Sequence, residues 1–177
     1  MKSFNKKESG FTLIELLVVI AIIGLLSSIV LVSLEDARNK AKNAAKNQLV
    51  AEYVKALELY RSDNPELGYP NEGLVSTNFQ CLGDNSECVS ASENPTLNAK
   101  LDDYIVGPPA DETSILVDLG FTTADYKGIY YRCVSGNLTS CNSYEIQWYL
   151  LGINQTCYQS DPASIDYNGS TICELEN

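Results

Sequence analysis

Near the start of the chain, Gly10, Phe11 and Glu15 have types and spacing that suit charge pairing rather than catalysis, if the chain were cut between Gly10 and Phe11. Glu15 is the sole charge among the 24 residues from Phe11 to Leu34. A carboxylate at the centre of a membrane helix costs on the order of 2.5 to 3.5 kcal/mol on insertion scales, so such an acid needs a partner. Cutting the chain between Gly10 and Phe11 creates an α-amine four residues before Glu15, about one helical turn away. Amine and carboxylate attract strongly in low dielectric, although desolvation takes back much of the gain. Made between neighbouring copies, the same pair sets the axial position of one helix against the next.

Other reactive groups are few. There is no histidine, which removes the commonest general base and metal ligand. No nucleophile constellation or Gly-rich phosphate loop replaces it, so enzymes and cofactor users are excluded as leading readings. Six cysteines, Cys81, Cys88, Cys133, Cys141, Cys157 and Cys173, lie in the second half and form no C-x2-C pair of the zinc type. An even count beyond a membrane segment reads as three disulfides in an oxidising compartment. Six cysteines allow about fifteen connectivities, and the sequence does not choose among them.

The elements that must position these groups follow from composition. Residues 1–10 are polar, with three lysines, and precede an apolar run, 11–34, that as a helix would reach roughly 36 Å, enough to cross a hydrocarbon core of about 30 Å. The lysines favour a cytoplasmic N-terminus and send the rest of the chain across the membrane. A conventional cleaved signal peptide fits less well, because the apolar run is too long and no clear A-x-A site closes it. Residues 35–62 continue the helix as an amphipathic half, with Val50, Tyr53, Val54, Leu57 and Tyr60 on one face. Asp63, Asn64 and Pro65 stop it.

Residues 63–177 are expected to cover that apolar face. The stretch 63–126, punctuated by prolines and glycines, reads as a long connection with short elements near 98–106 and 113–119. "GIYYRCV" and "YEIQWYLLG" read as an antiparallel hairpin, with Cys133 and Cys141 flanking its turn. A third strand is expected in either 155–160 or 170–175, since a lone hairpin is marginal. The aromatic residues Tyr130, Tyr131, Tyr144, Trp148 and Tyr149 are assigned mostly to the core. Residues 62–177 hold 17 Asp and Glu against Lys100, Lys127 and Arg132, so this region should repel nucleic acid, and no direct binding of it is expected.

With these elements in place, "GFTLIELLVVIAIIGLL" resembles the class III signal of type IV prepilins and type II secretion pseudopilins. "ALELYRSDNPELGYPNEGL", residues 56–74, is similar to the helix end of major pseudopilins of type II secretion systems and of related bacterial pilins, through Tyr60, Asp63, Asn64, Tyr69, Pro70, Gly73 and Leu74. The resemblance implies an α+β, pilin-like fold: a long N-terminal helix on a small antiparallel sheet. It implies cleavage after Gly10 by prepilin peptidase, N-methylation of Phe11 from S-adenosylmethionine, and Glu15 as partner of a neighbour's terminal amine. In such proteins a C-terminal disulfide loop is common, and Cys157 and Cys173 sit where one would close. Two departures stand out. Val32 lies where most major members carry a helix-bending proline, leaving Gly24 or Ser27 and Ser28 to loosen the helix. Major pseudopilins are also associated with a calcium loop, for which Asp161, Asp166 and Asn168 are weak candidates; a solvated acidic turn is the favoured account.

The implied function is a structural subunit of a type IV pilus or pilus-like filament, a homo-oligomer held in the inner membrane before an assembly platform and ATPase draw it into an extracellular or periplasmic fibre. The alternatives are a pseudopilin of a type II secretion system and a single-pass anchored adhesin domain whose Gly10 and Glu15 are coincidental.

Overall fold

A computed structural model describes residues 10–71, 79–83, 95–105, 115–118, 123–126, 128–137, 139–159, 163–167 and 169–177. For 29–33, 95, 115–118, 123–126 and 163 the description is of the backbone alone. Residues 1–9, Gly73, Leu74, Cys88, Asp161 and Asn168, named above, lie outside the described residues, as does the side chain of Val32. The chain forms two compact units, Met1–Arg38 and Asn39–Asn177.

Helix α1 runs from Leu13 to Asp63. Its first half is apolar, mixing Leu with β-branched Ile and Val, its second half is rich in the strong helix formers Ala, Leu, Lys and Glu, and no proline interrupts either. In the second unit the buried positions of α1 are Asn43, Lys46, Leu49, Val50, Tyr53, Ala56, Leu57 and Tyr60, the spacing of a single helical face. Val54, expected on that face, is partly buried at its margin. The helix stops where Asn64 turns back on it. The Asn64 N–H and Nδ2 both donate to Tyr60 O at 2.9 Å, and the Gly68 N–H donates to Asn64 O at 2.9 Å.

Against this face lies a five-stranded antiparallel sheet. Its strands are β1 (Gln80–Leu82), β4 (Ile129–Gly136), β5 (Cys141–Leu151), β6 (Ala163–Tyr167) and β7 (Ser170–Glu176), in the spatial order β1-β4-β5-β7-β6. The expected hairpin is β4–β5, and the third strand is β7, which pairs Trp148 with Cys173. The rival position, 155–159, is not a strand: Asn154 and Gln159 flank it with left-handed φ of 56° and 64°. The short elements expected in the connection are helix α2 (Pro95–Leu101) and strand β2 (Ile115–Asp118), which pairs with β3 (Thr123–Tyr126).

Period-2 alternation decides which side chains of β5 meet α1. Tyr144, Ile146, Trp148 and Leu150 are fully buried on the inner face, in one cluster with Val50, Tyr53 and Leu57. Polar residues fix the angle of approach. Asn47 Oδ1 accepts from Trp148 Nε1 at 3.0 Å, and Asn43 bonds the Leu151 backbone through both its ends, at 2.8 and 2.9 Å. Tyr130 and Tyr149 face the other way and pack edge-on with Phe79 and Ile172 nearby.

Candidate functional site

At the N-terminal end of α1, Glu15 folds back on the turn that begins the helix. Its Oε2 accepts from the Thr12 N–H at 2.9 Å and from Thr12 Oγ1 at 2.7 Å, while the Glu15 N–H points to Thr12 Oγ1 at 3.3 Å. This is a capping box, in which a Thr at the N-cap and a Glu three residues on satisfy each other's donors. Charge counting makes Glu15 a lone acid; the capping pattern is carried by "TLIE", a signal present in the sequence. The carboxylate is therefore held toward the Gly10–Phe11 side of the helix start rather than into the apolar run. Gly10 and Phe11 are both exposed, Phe11 at 78%.

The rest of this segment is an exposed apolar surface. Leu13, Ile14, Leu17, Ile20, Ile23 and Leu25 are all open, Ile14 at 75%. An apolar surface this continuous marks contact with lipid or with other chains. Among the described residues no helix is long and apolar enough to cross a membrane; the expected span 11–34 includes 29–33, which are described by backbone alone, and stays an expectation. Ser27 Oγ donates to Ile23 O at 2.7 Å and Ser28 Oγ to Leu25 O at 2.8 Å, so both serines satisfy themselves within the helix.

A second polar constellation sits where α1 ends. Tyr69 donates to Glu58 Oε1 and accepts from Arg61 Nη1, each at 2.8 Å, and the Asn177 Nδ2 reaches both Glu58 Oε1 at 2.8 Å and Tyr69 Oη at 3.2 Å. Burial, followed by the bond to Glu58, raises the Tyr69 phenol above its usual range. Asp63 accepts from Tyr104 Oη at 3.0 Å, and Tyr104 packs edge-on against Tyr60. The Pro70 carbonyl accepts from Tyr131 Oη at 2.7 Å. Thus Tyr60, Asp63, Asn64, Tyr69 and Pro70 are the contacts that end the helix and turn the chain onto the sheet.

The cysteines are placed as follows. Cys133–Cys141 closes the β4–β5 turn, and Cys157–Cys173 ties the loop after β5 to β7, with Cα separations of 5.9 and 5.8 Å. Cys81 is disulfide-bonded. Of the calcium candidates, Asp166 is described: its Oδ1 accepts from the Asn154 N–H at 2.9 Å and from Thr171 Oγ1 at 2.7 Å. That oxygen closes a loop, and no cluster of His, Cys, Asp or Glu able to hold a metal occurs among the described residues. Asn137 is likewise a turn former, its Oδ1 accepting from the N–H groups of Thr139 and Ser140.

A long helix with its amphipathic half on a small antiparallel sheet, its apolar half exposed and its only apolar-segment acid capping the first turn, defines a pilin-like α+β subunit. The family described as "Prokaryotic N-terminal methylation motif" matches residues 5–31. The "Type IV wide pilus major component PilA4" of Thermus thermophilus is 35% identical over 91 residues, 50% of this chain and 70% of that protein. The "Type II secretion system core protein G" of Escherichia coli is 44% identical over 71 residues, 40% of this chain and 48% of that protein. Protein G of Aeromonas hydrophila is 35% identical over 70 residues, 40% of this chain and 49% of that protein. No solved structure matches significantly. The chain belongs to the family of type IV pilins and type II secretion pseudopilins. It spans about half the length of the protein G relatives it matches.

Proposed function

We propose that this chain is a structural, non-catalytic subunit of a type IV pilus or pilus-like filament, cleaved after Gly10, methylated on Phe11 and assembled through α1. Before assembly, residues 11–34 hold it in the membrane with the leader on the cytoplasmic side. Prepilin peptidase is the processing partner, and a platform with an ATPase supplies the force for extraction. The observation that supports this most directly is the capped Glu15: its carboxylate is turned back onto Thr12, the residue after Phe11, at the start of an exposed apolar helix.

In a filament the neighbour's ammonium replaces water at the acid, and the low dielectric among apolar side chains strengthens the attraction while desolvation offsets much of it. Every exposed Leu, Ile and Val along α1 then gains a partner. The test is the mass of the N-terminal peptide from sheared surface fibres. A chain beginning at methyl-Phe11 supports the reading; an intact leader, or absence from fibres, ends it. The same measurement disposes of the anchored-adhesin alternative, which requires the uncleaved start.

A type II secretion pseudopilin is the second reading, favoured by the protein G relatives. The two separate by phenotype. Loss of the chain that abolishes surface fibres and leaves exoprotein release intact supports the pilus; the reverse supports secretion.

A further inference from the structure

The segment leaving α1 is attached chiefly to one small part of the molecule, the disulfide-closed end of the β4–β5 hairpin. The Cys141 N–H donates to Leu67 O, and the Tyr69 N–H to Cys141 O, both at 2.9 Å. Between them Gly68, at φ +74°, lies so near that a Cβ there would sit 2.0 Å from Cys141 O. Asn71 Nδ2 donates to Asn137 O at 2.7 Å and to Ser140 O at 3.3 Å, inside the loop that Cys133–Cys141 closes. Tyr131 Oη, bonded to Pro70 O, stands 3.9 Å from Cys141 Sγ. Five consecutive residues, Leu67 to Asn71, thus rest on a platform that the Cys133–Cys141 bond closes.

Within the loop, Asn137 also shapes the turn: its Oδ1 accepts from the N–H groups of Thr139 and Ser140, and its N–H donates to Ser140 O at 2.8 Å. Register shifts interrupt the β4–β5 ladder between Cys133, Ser135 and Gly136, so its ordinary pairing is broken just where the loop docks. A turn with broken pairing opens easily unless cross-linked. Conversely, Cys133 and Cys141 are buried, 4% and 0% exposed, and a thiolate must reach a sulfur to exchange with it. The docked loop and the disulfide therefore protect each other.

We propose that Cys133–Cys141 is an oxidation latch for the exit of α1: residues 67–71 dock once this disulfide has closed, and docking then shields it from reduction. The partner is a thiol–disulfide oxidant of the oxidising compartment. One cysteine thiolate attacks the oxidant's disulfide, giving a mixed disulfide and releasing one thiolate. The second cysteine thiolate attacks the mixed disulfide, forming Cys133–Cys141 and releasing the other. The two cysteine protons end on the two thiols of the reduced oxidant, and the electron pair passes to it. In this scheme a chain still reduced has its helix and sheet but lacks the finished corner between them. The latch operates independently of the filament reading.

The test uses the full-length chain in detergent micelles, a Cys133→Ser/Cys141→Ser variant and a control Cys157→Ser/Cys173→Ser variant, with amide hydrogen exchange resolved by residue. Exchange at the amides of Tyr69 and of residue 141, corrected for the intrinsic rate of the residue present, should quicken by about tenfold or more in the first variant, with the β5–β7 ladder changing by less than about threefold. In the control, Tyr69 and Cys141 should keep their protection. Unchanged exchange at Tyr69 in the first variant, or equal quickening in both, overturns the latch. Should the first variant not fold, Gly68→Ala with all cysteines retained decides the matter. With the loop pushed off Cys141 O, dithiothreitol should reduce Cys133–Cys141 about tenfold faster relative to Cys157–Cys173 in the same molecule, read by differential alkylation and mass spectrometry. An unaltered ratio of the two reduction rates overturns the proposal.

Discussion

Thr12 and Glu15 share two jobs, closing the first turn of α1 and aiming a carboxylate, and substitutions separate them. Thr12→Val keeps the backbone N–H bond to Glu15 but removes the hydroxyl, both as donor to Oε2 and as acceptor from the Glu15 N–H. The loss of an N-cap costs about 1 kcal/mol, and the carboxylate gains rotameric freedom. Leader cleavage should proceed normally, while incorporation into fibres falls; Glu15→Ala should lower it further. Immunoblots of processed chain and of sheared fibres, in a strain whose only copy is the variant, check both, and full incorporation of Glu15→Ala would remove the acid from the assembly step. At the other end of the helix, Tyr69→Phe leaves Glu58, Arg61 and Asn177 without their common partner. A destabilisation of about 1 to 3 kcal/mol is expected from denaturant unfolding. Glu15 was legible in the sequence as an anomaly, because a charge in an apolar run stands out. Its capping role was equally present in "TLIE", whereas the Glu58–Tyr69–Asn177 bonds join residues far apart in the chain and leave no local pattern.

Between elements, the amphipathic half of α1 and strand β5 form the main seam. Leu57 is fully buried in it, and Leu57→Ala should cost about 2 to 5 kcal/mol through lost transfer energy and the cavity left. Asn43 is a different kind of fastening. It bonds both the N–H and the carbonyl of Leu151, so Asn43→Ala orphans two backbone groups and should cost about 1 to 3 kcal/mol. Calorimetry on the disulfide-intact protein measures both, and a negligible effect of Asn43→Ala would mean that water replaces the amide. The helix and the β4–β5 hairpin were readable because each repeats its period over many residues. Strands β1 and β6 were not. β1 spans Gln80–Leu82, too short to show alternation, and "ASIDY" of β6 is an edge strand with its described side chains exposed, so no apolar code marks it.

Across the whole molecule, alkaline pH is the condition that tests the aromatic interior. Burial raises the Tyr144 phenol to about 12 and drives that of Tyr131 higher still. An unfolded tyrosine ionises near pH 10, so above that pH the unfolded chain loses protons that the folded chain retains. Stability held by these two residues is therefore complete below about pH 10 and declines as pH rises toward and past 12. Denaturant midpoints measured from about pH 8 to 11 should be level at first and then drop, and Tyr131→Phe should flatten the drop.

The sequence alone determined that the chain has one long helix with an oily and an amphipathic half, a hairpin behind it and an isolated acid five residues after a glycine. Those properties are written in composition and in short-range periodicity, which depend on neighbours within a few residues. Tertiary structure decided the rest: which of two segments became the third strand, that Cys133 bonds to Cys141 and Cys157 to Cys173, and that the corner after α1 is built on Cys141. Each of these is a contact between distant residues, and its energy exists only once the chain has closed the loop between them.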